Sequence, residues 1–145
     1  MKKTIAAFSL LSLLPFFVFG QAKKNSGPLD GRKYVVVMVQ DEKKEISDEI
    51  NFSSGKCKTT FFGKDWAFPA KPYDVTFIDS SNVDKKNFQF MWESTNDANE
   101  KIALQGSIDG DAIEGTAEIT NKKGKTLKTY TFTGTQKKKK VPGAK

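Results

Sequence analysis

The chain has no histidine and only one cysteine, Cys57. Without histidine it lacks the commonest general base and the commonest metal ligand. A lone thiol forms no intramolecular disulfide, so the fold must stand on its core. Cys57 lies between Lys56 and Lys58, which modestly favours the thiolate, but with no histidine beside it the better reading is a packing residue. The GxSxG, phosphate-loop, HExxH and CxxC patterns are all missing. Asp109, Asp111 and Glu114 are too few to make a calcium loop and read as a solvated hairpin turn. These absences argue against an enzyme, and neither a metal nor a cofactor is expected.

Long apolar runs are also missing, except at the start. Lys2 and Lys3 precede the nearly unbroken apolar stretch Ala6–Phe19, with Val18 and Gly20 at the −3 and −1 positions before Gln21. That is the pattern of a secretory signal peptide over residues 1–20. Pro15 interrupts the stretch, which falls short of the roughly 20 residues a membrane span needs. No cysteine follows to carry a lipid. The expectation is an exported protein, periplasmic or extracellular.

The formal net charge is +7, but it is unevenly placed. Lys2 and Lys3 belong to the leader, while Lys137–Lys140 and Lys145 lie past the last strand. Residues 21–136 carry 17 basic and 17 acidic side chains, so the body is neutral. A nucleic-acid binder would carry a basic face on the domain itself. No specific nucleic-acid partner is therefore expected. The Lys tail offers only weak, salt-sensitive contact with a membrane surface or polysaccharide.

No helical period runs anywhere in the mature chain; the apolar positions alternate. Residues 21–32 open with the polar, breaker-rich QAKKNSGP and read as a flexible lead-in. Eight strands follow at regular spacing: Lys33–Gln40, Ile46–Ser53, Lys56–Phe62, Pro72–Ile78, Asn87–Ser94, Lys101–Ile108, Ala112–Thr120 and Thr126–Thr135. Gly63–Lys71, with Trp66, Phe68 and Pro69, has no period and reads as a loop. The fold class is all-β: an antiparallel up-and-down meander over 33–136, closing into a barrel of roughly eight strands because closure removes the exposed edges. Residues 137–145 read as a basic, disordered tail.

Two registers can be proposed at the C-terminal end. A two-residue turn at Asp109-Gly110 sets Gly106 opposite Ile113 and Leu104 opposite Gly115. A turn at Asn121–Gly124 sets Gly115 opposite Tyr130 and Ile113 opposite Phe132. For the first strand two alternatives stand: either Val35, Val37 and Val39 point inward, or Tyr34, Val36 and Met38 do.

The motifs resemble those of small exported lipocalin-like barrel proteins of Bacteroidetes, most of them uncharacterised. The likeness rests on Leu29-Asp30-Gly31-Arg32, on Asp48–Phe52 with Gly55, and on Phe68 with Tyr73. It continues through Gly106, Gly110-Asp111, Ile113, Gly115-Thr116, Tyr130, Phe132 and Gly134. The resemblance implies a barrel and carries over no catalytic residue. The Gly-x-Trp opening of true lipocalins is not matched, since Tyr34 follows Gly31-Arg32-Lys33.

The leading functional reading is a non-enzymatic exported barrel binding a small hydrophobic ligand or an envelope component. Trp66, Phe68, Tyr73, Phe77, Phe90, Trp92 and Tyr130 then line its interior and mouth. The alternative is an interaction module with a packed interior, in which the same aromatics are core and Trp66 and Phe68 plug one end. The number of large inward side chains, Phe52, Phe88 and Phe132 among them, tilts the balance toward a filled interior. An enzyme of unrecognised type comes last.

Overall fold

A computed structural model describes residues 27–79, 87–140 and 142–143; the side chains of 77–79 lie outside the description. The proposed signal peptide over 1–20, and the lead-in as far as residue 26, therefore fall outside the described residues. Eight strands run in sequence order: β1 (Lys33–Gln40), β2 (Lys44–Ser53), β3 (Lys56–Thr59), β4 (Lys71–Asp79), β5 (Asn87–Thr95), β6 (Lys101–Asp109), β7 (Ala112–Thr120) and β8 (Thr126–Gln136). Each pairs antiparallel with its neighbours, and β1 also pairs with β8, so the sheet closes into a barrel. The all-β meander expected from the alternation is the architecture present.

Three expectations need correction. The third strand stops at Thr59, and Thr60–Asp65 forms a short helix, α1. Thr59 caps it: its hydroxyl accepts the Phe62 N–H at 3.1 Å. Six residues are too few to leave a helical period in the sequence, so Phe61 and Phe62 read as strand. The terminal hairpins also pair differently. The loop after β6 is Gly110-Asp111, with the left-handed φ (+58°) at Gly110, so Gly106 faces Gly115 and Leu104 faces Ala117. A five-residue loop and an irregularity after Ile119 then set Gly115 opposite Phe132 and Ile113 opposite Gly134. Finally, the lead-in is not loose from Gly27 onward. Leu29 is fully buried, because it is an apolar side chain at an open barrel end and fills it.

The first strand resolves to its second alternative. Tyr34, Val36 and Met38 are buried, whereas Val35 and Val37 are each 44% exposed. Tyr34 pairs with Ile50 and Met38 with Ile46, across a three-residue turn.

Both ends of the barrel are shut. At one, Asp30 staples the Leu29 turn in place: its carboxylate accepts the Gly55 N–H at 2.9 Å and the Tyr73 hydroxyl at 2.9 Å. The Tyr73 oxygen in turn accepts the Leu29 N–H at 3.1 Å. Arg32 lies over the Phe88 ring, 5.3 Å from its centroid. At the other end α1 lays Phe61 and Phe62 against Tyr130, with centroids 6.0 and 5.3 Å away. Ser94 donates to the Pro69 carbonyl and Asn96 to the Trp66 carbonyl, each at 2.8 Å, which ties down the chain leaving α1. Lys137, placed in the tail by its sequence, still donates its N–H to the Lys33 carbonyl at 2.7 Å.

Candidate functional site

Of the side chains singled out from the sequence, the six that are described belong to the core or pack against it. Phe68, Tyr73, Phe90, Trp92 and Tyr130 are buried, and Trp66 packs half-buried against them. Phe77 pairs with Phe88 in the β4–β5 ladder, and its side chain lies outside the described residues. Tyr73 belongs to the Asp30 staple, Phe90 packs on Phe52, and Tyr130 meets Phe62 of α1 edge to face. Trp92 buries its indole nitrogen without a hydrogen-bond partner among the described residues. Tyr34, Tyr73 and Tyr130 all have their hydroxyl pKa pushed up, by burial first of all.

Cys57 is fully buried, and burial pushes its thiol pKa up, with the Asp48 charge adding to the effect. The flanking lysines do not activate it: at alternate positions along β3 they face outward while Cys57 faces in. A thiol held neutral in the core is an inert packing group.

Asp48 is the one carboxylate among the buried described residues, on the same face of β2 as Ile50 and Phe52. It points inward from β2. Its Oδ1 accepts the Phe61 and Glu49 N–H groups, each at 2.7 Å, so it fastens the first turn of α1 to the barrel wall. Its Oδ2 is buried with no hydrogen-bond partner within 3.5 Å among the described residues, although Thr59 and Thr60 lie close enough to lower its pKa slightly. Desolvation raises its pKa above the usual carboxylate value, against the Phe61 and Glu49 amide bonds, which lower it.

The described surface offers its concavity on the outer wall. A depression of about 800 Å³ crosses β4 to β8. Its walls are two registered rows, one outward side chain from each strand. The first row is Asp74, Met91, Gln105, Thr116 and Thr131; the second is Thr76, Gln89, Ser107, Glu114 and Thr133. Between them runs the inward-facing row that contains Phe90, Gly106, Gly115 and Phe132.

Two glycines lie in the floor of the trough. Gly106 and Gly115 are direct partners, and the β6 and β7 backbones close in where both lack a side chain. A Cβ on Gly115 would sit 2.6 Å from Gly106 Cα and 2.6 Å from Phe132 Cζ, and would run into the Gln105 carbonyl. Phe132 and Phe90 fill the space inside the wall at this point. A smaller depression of about 300 Å³ continues beyond Ser107, Glu114 and Thr133 toward Asp109, with Gly134 in its floor. Of the three acidic residues at this hairpin, Asp109 ends β6, Asp111 lies in the exposed turn and Glu114 faces the trough.

Met91 apart, the sequence shows each of these row side chains as a polar position on an alternating strand, and nothing more. Only the register across five strands collects them into rows. No family model matches the chain, and neither the curated proteins nor the solved structures contain a match to it.

Proposed function

We propose that this chain is an exported, non-enzymatic interaction barrel, with an interior that is structural core and a working surface on its outer wall. The contact between Phe52 of β2 and Phe90 of β5 carries this reading. Their ring centroids lie 5.4 Å apart at an interplanar angle of 88°, so side chains from walls three strands apart meet in the middle. Tyr34 and Tyr73 extend the same aromatic cluster, and Leu29 and α1 shut the two ends. An apolar ligand site needs a few hundred Å³ of space, which this packing occupies. The concavity that the described residues form is instead external, edged by mostly polar side chains.

Export rests on the leader-like residues 1–20, and the Lys tail adds salt-sensitive attraction to anionic surfaces. Native mass spectrometry of the mature protein from its own host tests the packed interior. The expected spectrum shows the mass of the bare chain. A retained hydrophobic ligand would return the interior to first place as the binding site.

A further inference from the structure

Resting on that outer-wall reading, we propose that the trough between the two rows is a binding site for an unbranched neutral glycan laid across the strands. The trough spans five strands, about 19 Å at the usual strand spacing. Each strand presents one side chain to either side of it, so the site repeats every ~4.8 Å, a spacing of the order of one sugar ring. An extended peptide presents its same-face side chains every ~6.8 Å and does not keep step.

The chemistry of the rows points the same way. Seven of the ten side chains are neutral and both donate and accept: Gln89, Gln105, Ser107 and four threonines. That suits a ligand whose hydroxyls also do both. Asp74 and Glu114 only accept when ionised, and a sugar hydroxyl donates to them. None of the ten is cationic, which disfavours phosphorylated or sulfated chains. Met91, 45% exposed, and Val37 at the β1 end of the second row offer apolar contact for C–H faces. The side chains stand on paired strands rather than loops, so little ordering is needed on binding.

The test is an NMR titration of the isotope-labelled mature protein with cellohexaose, maltohexaose and N-acetylchitohexaose. At least one should shift the Gln89, Gln105 and Ser107 signals saturably at millimolar concentration. The effect should persist when salt rises from about 0.05 to about 0.5 M, a change that shortens the screening length severalfold. The Gln89→Ala/Gln105→Ala double variant changes two exposed side chains and should fold normally, yet bind about tenfold more weakly. Silence toward all three sugars, or shifts elsewhere on the barrel, overturns the assignment. So does a trough that responds to oligolysine and loses the response in high salt, because the site would then be one for a cationic peptide. A bare-chain mass together with a silent trough sinks the glycan alone. A retained interior ligand sinks the outer-wall reading on which it rests.

Discussion

Phe52 and Phe90 meet edge to face across the barrel, their ring centroids 5.4 Å apart. Phe52 also packs on Tyr34 and Tyr73, at 6.2 and 4.9 Å, and it is fully buried. It is the hub on which the two halves of the interior lean. Phe52→Ala removes that hub, and its neighbours are held by closed strands that relax only partly. The expected cost is about 3–5 kcal/mol, a large share of a small domain's stability. Urea unfolding measures it. A loss under about 1 kcal/mol would mean that the interior refills easily and is loosely packed.

Gly115 carries the second prediction. A side chain there meets the Gln105 carbonyl, Gly106 Cα and the Phe132 ring together, and the first two are backbone that cannot swing aside. Gly115→Val should destabilise by about 1–3 kcal/mol or more, although valine has the better strand propensity. It should also splay β6 from β7. A gain in denaturation midpoint would mean that the two strands do not approach as closely as described.

How much could be read in advance follows from this pair of strands. Asp109-Gly110-Asp111 contains two usable two-residue turns, one at Asp109-Gly110 and one with glycine first. Sliding the loop by one residue moves every cross-strand partner by two and leaves the alternation intact. The inward set, with Leu104, Ile113, Tyr130 and Phe132, was therefore legible although their partners were not. The Gly106–Gly115 pair, and with it the trough, exists only in the true register. Helix α1 stayed hidden for a different reason. Its six residues are held by Thr59 and by Asp48 from another strand, so its cause is tertiary rather than local.

Asp48 yields a pH dependence whose sign can be worked out. Burial raises its folded-state pKa above the ordinary 3.8, so the folded protein holds this proton more tightly than the unfolded chain. Its contribution to stability is then fully present below that ordinary value and is lost as pH rises through the raised one. Asp48→Asn keeps an oxygen for the Phe61 and Glu49 amides but does not titrate. Across the same acid-to-neutral range the wild type should lose stability relative to this variant, with the change confined to the window above pH 3.8. Paired urea midpoints at several pH values read it directly. A wild type that gains on the variant as pH rises would show the ionised carboxylate to be the favoured form. Asp48→Ala instead strips the acceptor from the Phe61 amide and should loosen α1 at every pH, at about 1–3 kcal/mol.

The C-terminal boundary gives the last prediction, because the charged run and the folded chain overlap by one residue. Lys137 donates its N–H to the Lys33 carbonyl, and its ammonium lies 3.3 Å from Glu49. The ammonium contact is solvent-exposed and should contribute little, about 0–1 kcal/mol. The backbone bond extends the β1–β8 seam that closes the barrel. Residues 138–140 are exposed and outside any strand. Truncation after Lys137 should therefore leave the melting temperature unchanged while removing most of the tail's charge. Truncation after Gln136 should lower it by a few degrees, as loss of one net backbone hydrogen bond of about 1 kcal/mol does in a domain of this size. Equal melting temperatures for the two truncations would place the end of the seam before Lys137, and a large drop from the first would mean that the lysines beyond it dock on the barrel.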